Sequence, residues 1–380
     1  MFQRAKSLVD IEKAVDKTSF YGPSPPGVFL GSYGYPNVLA GPLVPVIPEK
    51  DPGILDDPAH WIDRPMDQLI RYRVSLVRGK ARMKVADARN PDRTLSLVHE
   101  MVMSEKPTDT ELLLTKKPHV SLSLMPRSAP HGPSGVIERV TLAGNPTVPR
   151  SVEKTVGDTD LAATQGAYQL YRSGVSQQQI TRIFSVGLLG TARSRRLVPT
   201  EWSITAIDDI LAQHLRRNVL GYPRIDVFQV YSASAVGNIV QILLTPSAWM
   251  YEALEGWTLG SNPEVFSDYE LTRGRRDYPA NIAGAYHAAR LPVLEHLDQS
   301  RRQAGALVFL EVTRDWVPLG VWRFRELARK AFMNPLSEYN NLDLALGHVY
   351  ARSGIRGHVW TNSSKILPYY RKQSLLDVYT

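Results

Sequence analysis

Between Phe20 and Gly53 the chain reads FYGPSPPGVFLGSYGYPNVLAGPLVPVIPEKDPG, with a glycine or proline every few residues. Proline removes a backbone donor and clashes with the preceding turn, so no helix survives there. The stretch has to be extended. Val28–Gly31 and Val38–Gly41 are short extended pieces that flank the turn residues Gly34, Tyr35, Pro36 and Asn37. Phe29, Leu30, Tyr33, Tyr35, Val38 and Leu39 make it too apolar for a mere surface crossing. A ragged hairpin packed on a core is expected.

A second stretch has an even clearer period. In VRGKARMKV, residues 77–85, Arg78, Lys80, Arg82 and Lys84 fall on one parity, and Val77, Ala81, Met83 and Val85 on the other. Period two is the strand period. Same-side residues on a strand stand roughly 6.7 Å apart, a scale similar to phosphate spacing along a nucleic-acid strand. The basic face suits phosphate contact; an edge strand kept soluble by basic side chains is the alternative.

Elsewhere helices and strands alternate without a visible repeat. Residues 1–18, 65–77 and Thr94–Ser104 read as helices. Glu111–Thr115, Val120–Met125 and Val136–Leu142 read as strands around a loop at MPRSAPHGPSG. Asp160–Ser173 is a helix ended by Gly174, and Ser176 caps the next one. The pair resembles a helix-turn-helix weakly, since Leu170 stands where a small residue is preferred, so plain helix packing is favoured. From Leu161 to Thr200 there are five arginines (Arg172, Arg182, Arg193, Arg195, Arg196) and no acid, and GTARSRRLVP gathers three of them in a loop. Arg182, Arg193, Arg195 and Arg196 join the strand's basic face as candidate DNA-binding residues, because guanidinium groups hold phosphate through paired bonds.

The following helix has an apolar face of Ile207, Ile210, Leu211 and Leu215. Thr205 and Asp208 have capping spacing, which would put Asp208 and Asp209 near its N-terminus. Ile225–Tyr231, Asn238–Thr245 and Ala248–Leu254 read as a three-stranded meander. Residues 258–279 read as irregular, Asn281–Gln299 as a helix kinked by Pro292, ALVFLEV as a buried strand, and Leu319–Phe332 and Leu342–Tyr350 as helices. Trp322, Arg325, Glu326 and Arg329 cluster on one helix face, read as an ion-pair seam ahead of a ligand-pocket wall.

Composition closes several doors. The chain has no cysteine, which excludes disulfides, thiol nucleophiles and cysteine-ligated zinc. It has nine histidines, but none form HExxH or a close pair, and His287 and His296 would face opposite sides of a helix. No metal site is expected. No apolar run approaches the ~18 residues of a membrane span, and no signal core opens the chain, so a cytoplasmic protein without membrane partners is expected. No phosphate-loop, dinucleotide, nucleophile-elbow or kinase signature occurs, and no cofactor is expected. A net charge of +8 permits an anionic partner.

The last eight residues, QSLLDVYT, are unusually apolar for a terminus. A tight helical turn would bring Leu376 and Tyr379 to one side as a two-pronged plug, with Gln373 at the rim. This resembles the motif by which replication and repair proteins attach to the sliding clamp, PCNA, with Thr380 where a second aromatic is usual. GPSPPGVFLGSYGYPNVLAGPLVP, DDPAHW, SLVRGKARMKV, GPSG, GNPTVPRSVEKTVGDTDLAATQGAY, GLLG, LVPTEWSITAIDD, AARLPVLEHL, RQAGALVFLEV and PLGVWRFRELARKAF together resemble the archaeal Nre family of DNA repair proteins, nearly end to end. The resemblance implies a role in DNA damage repair and a clamp-binding C-terminus. Many relatives open with a cysteine-rich, zinc-binding segment, and this chain reads as a variant lacking it. Glu201 stands where a basic residue is expected.

The expectation is an α+β fold: a mixed or antiparallel sheet with packed helices, forming one intertwined body. The body would run over residues 1–370, with possible sub-regions 1–150 and 151–370, and a flexible clamp-binding tail over 371–380. The expected function is a DNA repair factor that binds DNA through its basic segments and is tethered to the clamp. One rival is a metal-dependent nuclease or other DNA- or nucleotide-modifying enzyme, using Asp208, Asp209, Glu311 or Glu326 and a divalent ion. The other is an adaptor that bridges the clamp to further repair proteins without touching DNA.

Overall fold

The computed structural model describes residues 13–47, 49–119, 131–258 and 263–376, with backbone alone for 372–376. The expected strand at Val120–Met125 and most of the expected N-terminal helix lie outside the described residues. The fold is α+β, and the chain divides into two compact units, Met1–Ile210 and Leu211–Thr380.

The first unit is built on a six-stranded sheet ordered β1-β5-β6-β4-β3-β2. Its strands are β1 (Ser19–Ser24), β2 (Val28–Leu30), β3 (Asn37–Pro45), β4 (Leu76–Lys84), β5 (Thr108–Leu114) and β6 (Ser134–Leu142). The proline- and glycine-rich stretch supplies β1, β2 and β3. β1 and β2 form the two sheet edges, where missing donors cost least. Gly34 takes φ +83° in the turn between β2 and β3, and the amide of Asn37 donates to Gly34 O at 2.9 Å. β4 is not an edge strand. It lies between β3, antiparallel, and β6, parallel. Phe20, Val44, Val77, Leu112, Leu114 and Val140 bury their side chains together in the core.

Described helices that belong to or begin in this unit include α1 (Met66–Val74), α2 (Arg93–Met103), α3 (Arg150–Gly157), α4 (Ala163–Arg172), α5 (Gln177–Ser185) and α6 (Thr200–Val219). Residue 150, the possible sub-region boundary, opens α3 inside this unit. Gly174 ends α4 at φ +82°, and the Ser176 side chain accepts from the amide of Gln179 at the start of α5. The expected cap at Thr205 is corrected: α6 starts five residues earlier, directly after Pro199. Proline preorganises a helix start there, leaving Thr205 and Asp208 in the interior of the helix.

The second unit has its own six-stranded sheet, ordered β10-β9-β11-β8-β7-β12. Its strands are β7 (Phe228–Ala235), β8 (Asn238–Thr245), β9 (Tyr251–Trp257), β10 (Glu264–Glu270), β11 (Gly305–Val312) and β12 (Ser337–Tyr339). The expected meander holds for β7 and β8 but not for β9. β11, buried at every position, inserts between β8, antiparallel, and β9, parallel. β10 was not legible because acids take its buried positions: Asp268 and Glu270 are buried while Tyr269 between them is exposed.

The helices of this unit are α7 (Ala283–Ser300), α8 (Trp322–Met333), α9 (Leu342–Ala351), α10 (Gly357–Ser363) and α11 (Leu367–Leu376). Leu307 and Phe309 of β11 join Leu346, Val349, Trp360, Ile366, Leu367 and Tyr370 in one apolar cluster, so α9 to α11 cover that face. Tyr251 is paired with Ala306, of the other parity. Its hydroxyl donates to Tyr286 O on α7 at 2.9 Å, so α7 covers the opposite face. Beneath it, Arg290 and Glu270 form a buried ion pair at 2.9 Å.

Candidate nucleic-acid interface

The basic parity of β4 does share a face, but its members sit at different depths. Arg78 and Lys80 are partly buried, while Arg82 and Lys84 are exposed. The Arg78 guanidinium lies 4.5 Å from the centre of the Phe29 ring. Burial, and secondarily the charge of Arg73, push its pKa down to about 9, opposed by Asp56. Lys80 is lowered by burial and then by Arg78. Arg82 stands opposite Leu39, and Lys84 opposite Asn37.

The arginine loop meets the outer end of this row. The amide of Leu197 donates to Val85 O at 2.8 Å, and Arg89 Nε donates to Arg195 O at 3.2 Å. Gly187 makes the approach possible: at φ +76°, a Cβ there would lie 2.6 Å from Ala88 and 2.7 Å from Arg196 O. The three loop arginines then divide their work. Arg195 donates through Nε to Gly190 O at 3.0 Å and through Nη2 to Val156 O at 2.6 Å, so it shapes the loop. Burial lowers its pKa, with Asp158 opposing. Arg193 and Arg196 are exposed.

Aromatic side chains flank the same place. Tyr33 is 93% exposed and Tyr35 43%, both in the turn between β2 and β3, and Trp202 at the start of α6 is 46% exposed. The Tyr35 and Trp202 rings lie 5.2 Å apart. Two bonds tie the group to the basic row: the amide of Val85 donates to Pro36 O at 3.0 Å, and that of Leu30 to Thr200 Oγ1 at 3.1 Å. Two acids lie in this neighbourhood: Glu201 is exposed, and Asp87 accepts from the amide of Lys84 at 2.7 Å. Sequence reasoning passed over Trp202 and treated Tyr33 and Tyr35 as packing residues. Their exposure in a tight turn was the available signal, since a turn tip has little core to reach.

The inner end of the row is a cluster of cations. Arg182 is 9% exposed and holds Asp56 at 2.9 Å, with a further short bond to Asp56 O. It is therefore a buried group rather than a free surface one. Arg73 stacks over Trp61 at 5.1 Å, and burial lowers its pKa against the pull of Asp56. His131 is half-buried, its pKa lowered by burial and then by Arg78 and, more weakly, Lys80.

The four candidate carboxylates each occupy a bonded position. Asp208 is fully buried in α6 and accepts from Gln177 Nε2 at 2.9 Å; Asp209 follows it in the same helix. Glu311 on β11 accepts from Ser353 Oγ at 2.7 Å and from the amide of Gly354. Glu326 accepts from Arg325 and Arg329, and Arg329 also holds Glu295. That is the ion-pair seam expected on α8. Among the described residues, no three or more His, Asp or Glu side chains are grouped to hold a metal. No described helix is long and apolar enough to cross a membrane. Gln373 and Leu376 lie in α11, where only the backbone is described, and Tyr379 lies outside the described residues. A further recess of about 760 Å³ in the second unit, lined by Tyr269, Arg273, Arg275, Arg276 and Tyr369 among others, was also missed, because residues 258–279 read as irregular.

Residues 1–262 match the family described as "Archaeal Nre, N-terminal", and residues 270–379 the one described as "Archaeal Nre, C-terminal". The gap between the two matches, residues 263–269, holds most of β10, which is paired with β9 in one sheet. The chain is 37% identical over 330 residues to "DNA repair protein NreA" of Archaeoglobus fulgidus, covering 85% of this chain and 83% of the relative. It is 38% identical over 341 residues to the protein of the same name from Haloferax volcanii, covering 86% and 81%. It is 35% identical over 363 residues to "DNA repair protein NreB" of Archaeoglobus fulgidus, covering 94% and 91%.

Proposed function

The chain belongs to the archaeal Nre family, and on that premise we propose that it acts in DNA repair by holding DNA on the basic and aromatic surface of its first unit. The meeting of β4 with the arginine loop carries this reading. Two segments more than 100 residues apart in sequence are bonded together, through Leu197 to Val85. Lys84, Arg82, Arg193 and Arg196 are exposed where they meet. Cations beside exposed rings suit a single strand or an opened duplex: phosphates meet the charges, and unpaired bases stack on Tyr33, Tyr35 and Trp202.

The test is an anisotropy titration against single-stranded and duplex DNA at several salt concentrations. Each phosphate neutralised contributes about 0.7 to the slope of log affinity against log salt on a single strand. K84E together with R196E should weaken binding and flatten that slope, and W202A should weaken single-strand binding without changing it. A flat slope for the wild type refutes the surface.

We infer further that the C-terminal residues Gln373, Leu376 and Tyr379 tether the protein to the sliding clamp. Ile366, Leu367 and Tyr370 are buried in the core of the second unit, so a chain ending at Lys372 keeps those anchors. That truncation should abolish co-elution with the clamp and leave the melting temperature unchanged. Undiminished co-elution removes the tether.

A further inference from the structure

The basic row on β4 is graded, and its two ends differ in kind. Lys84 and Arg82 stand in solvent, Lys80 and Arg78 are partly buried, and Arg78 is the deeper of the two. A row built only to lie along a strand would keep its cations at one depth. Arg78 is also chemically unfinished. It rests against Phe29, yet no described carboxylate or carbonyl accepts from its guanidinium. The carboxylate acting on both Arg78 and Arg73 is Asp56, and Arg182 already holds it. Arg182 Nε is itself buried without a hydrogen-bond partner.

Other contacts bring these groups together. A Cβ on Gly27 would lie 2.6 Å from Asp56 Oδ2 and 3.0 Å from Leu43, and Leu43 is the residue paired with Arg78. On the other side of β4, the amide of Arg78 donates to Pro133 O at 2.8 Å, which holds His131 nearby. Arg73, Arg78 and Arg182 thus gather about one engaged carboxylate, Asp56, and Lys80 and His131 lie close to Arg78. The excess is more than one positive charge, which suits a dianion better than a carboxylate, and forked guanidinium donors match phosphate oxygens.

We propose that the Arg78 cluster binds a phosphomonoester, the terminal phosphate of a DNA strand whose preceding phosphates run outward over Lys80, Arg82 and Lys84. This rests on the DNA-binding reading above and adds to it that the surface recognises strand ends. In that arrangement Arg78 and Arg182 Nε supply the donors, Lys80 neutralises the second charge, and Phe29 backs the guanidinium plane. An internal phosphodiester carries one charge and two ester oxygens, so it fills the cluster less well.

The test compares oligonucleotides of one sequence ending in a 5′-phosphate, a 3′-phosphate or hydroxyls only, titrated against the full chain. One phosphate-bearing end should bind roughly tenfold tighter than the hydroxyl end, the scale of a charged hydrogen bond. R78M should erase that preference while leaving hydroxyl-ended binding in place, and R78K should retain part of it. Melting curves on both variants verify that the fold is kept. A second arm adds inorganic phosphate or a nucleoside 5′-monophosphate and follows the melting temperature. Stabilisation lost in R78M, combined with end-blind DNA binding, assigns the phosphomonoester to a free nucleotide and overturns the strand-end source. If no phosphate-bearing probe responds to Arg78, the cluster is not a phosphate site. Phosphate-dependent melting without any DNA binding would instead sink the broader DNA reading and keep the site.

Discussion

Replacing Arg78 with methionine should make the protein more stable, because the structure holds this charge where it is poorly compensated. Arg78 is pushed from its ordinary value down to about 9, by burial first and Arg73 second. At about 1.4 kcal/mol per pH unit, that gap is worth at most roughly 5 kcal/mol of penalty on the charged form. Methionine keeps much of the stem's apolar volume, but the contact with Phe29 is lost, about 1–2 kcal/mol for a desolvated cation over a ring. The net gain is on the order of 1–3 kcal/mol, or roughly 3–10 °C for a unit of this size. A lowered pKa means that the unfolded chain binds this proton more tightly than the folded one. Folding is therefore penalised at every pH below about 9, and the penalty fades as pH rises above it. The R78M advantage should be constant from pH 6 to 8 and shrink toward pH 10. The assay is thermal unfolding of the full chain by circular dichroism across that range. A lower melting temperature in R78M, or an advantage that grows above pH 9, would show that Arg78 is well solvated or well paired and would refute the reasoning.

Two histidines, His99 buried and His296 partly buried, give an acid limit. His99, which faces Val186 O at 2.9 Å, and His296, stacked on Phe332 at 4.1 Å, are each lowered to about 4 by burial. Their neutral forms contribute fully above pH 6.5, and up to about 3 kcal/mol each is lost as pH falls toward 4. H99Q and H296F should flatten the acid side of the stability profile in a pH titration of the melting temperature; unchanged profiles would contradict this. R290L should cost about 3–5 kcal/mol, because it strands Glu270 in the core beside Trp249 Nε1 at 2.7 Å. A loss under 1 kcal/mol by chemical denaturation would show that Arg216, 3.9 Å from Glu270, takes over the pairing. G41A should be destabilising by a few kcal/mol, since its Cβ would lie 2.3 Å from Gly79 O between two paired strands; a neutral melting temperature would mean that the strands shift.

Much of the local structure was legible because its causes are local. Gly174 and Ser176 announce the end of one helix and the start of the next through their own backbone and hydroxyl chemistry. Residues 77–85 show a strand through period two alone. The start of α6 was misread for a related reason: both Pro199 and Thr205 are plausible start signals, and propensity does not rank them. β10 was invisible because Asp268 and Glu270 point inward, where Arg275 and Arg290 neutralise them. An acid reads as a surface residue until its distant partner is known. Residues 225–254 promised three neighbouring strands, but a fully apolar strand from 305–312 took the middle place, because the most apolar strand gains most from cover on both faces.

The site shows the same division. Sequence alone determined that four cations share one face of a strand and that a loop near residue 195 is rich in arginine, since alternation and composition need no partner. Tertiary structure decided which of those charges meet solvent. It sank Arg182 against Asp56, spent Arg195 on backbone carbonyls, left Arg193 and Arg196 exposed, and drew Arg78 against Phe29. Depth and pairing depend on residues far away in the chain, and those distances exist only once the chain has folded.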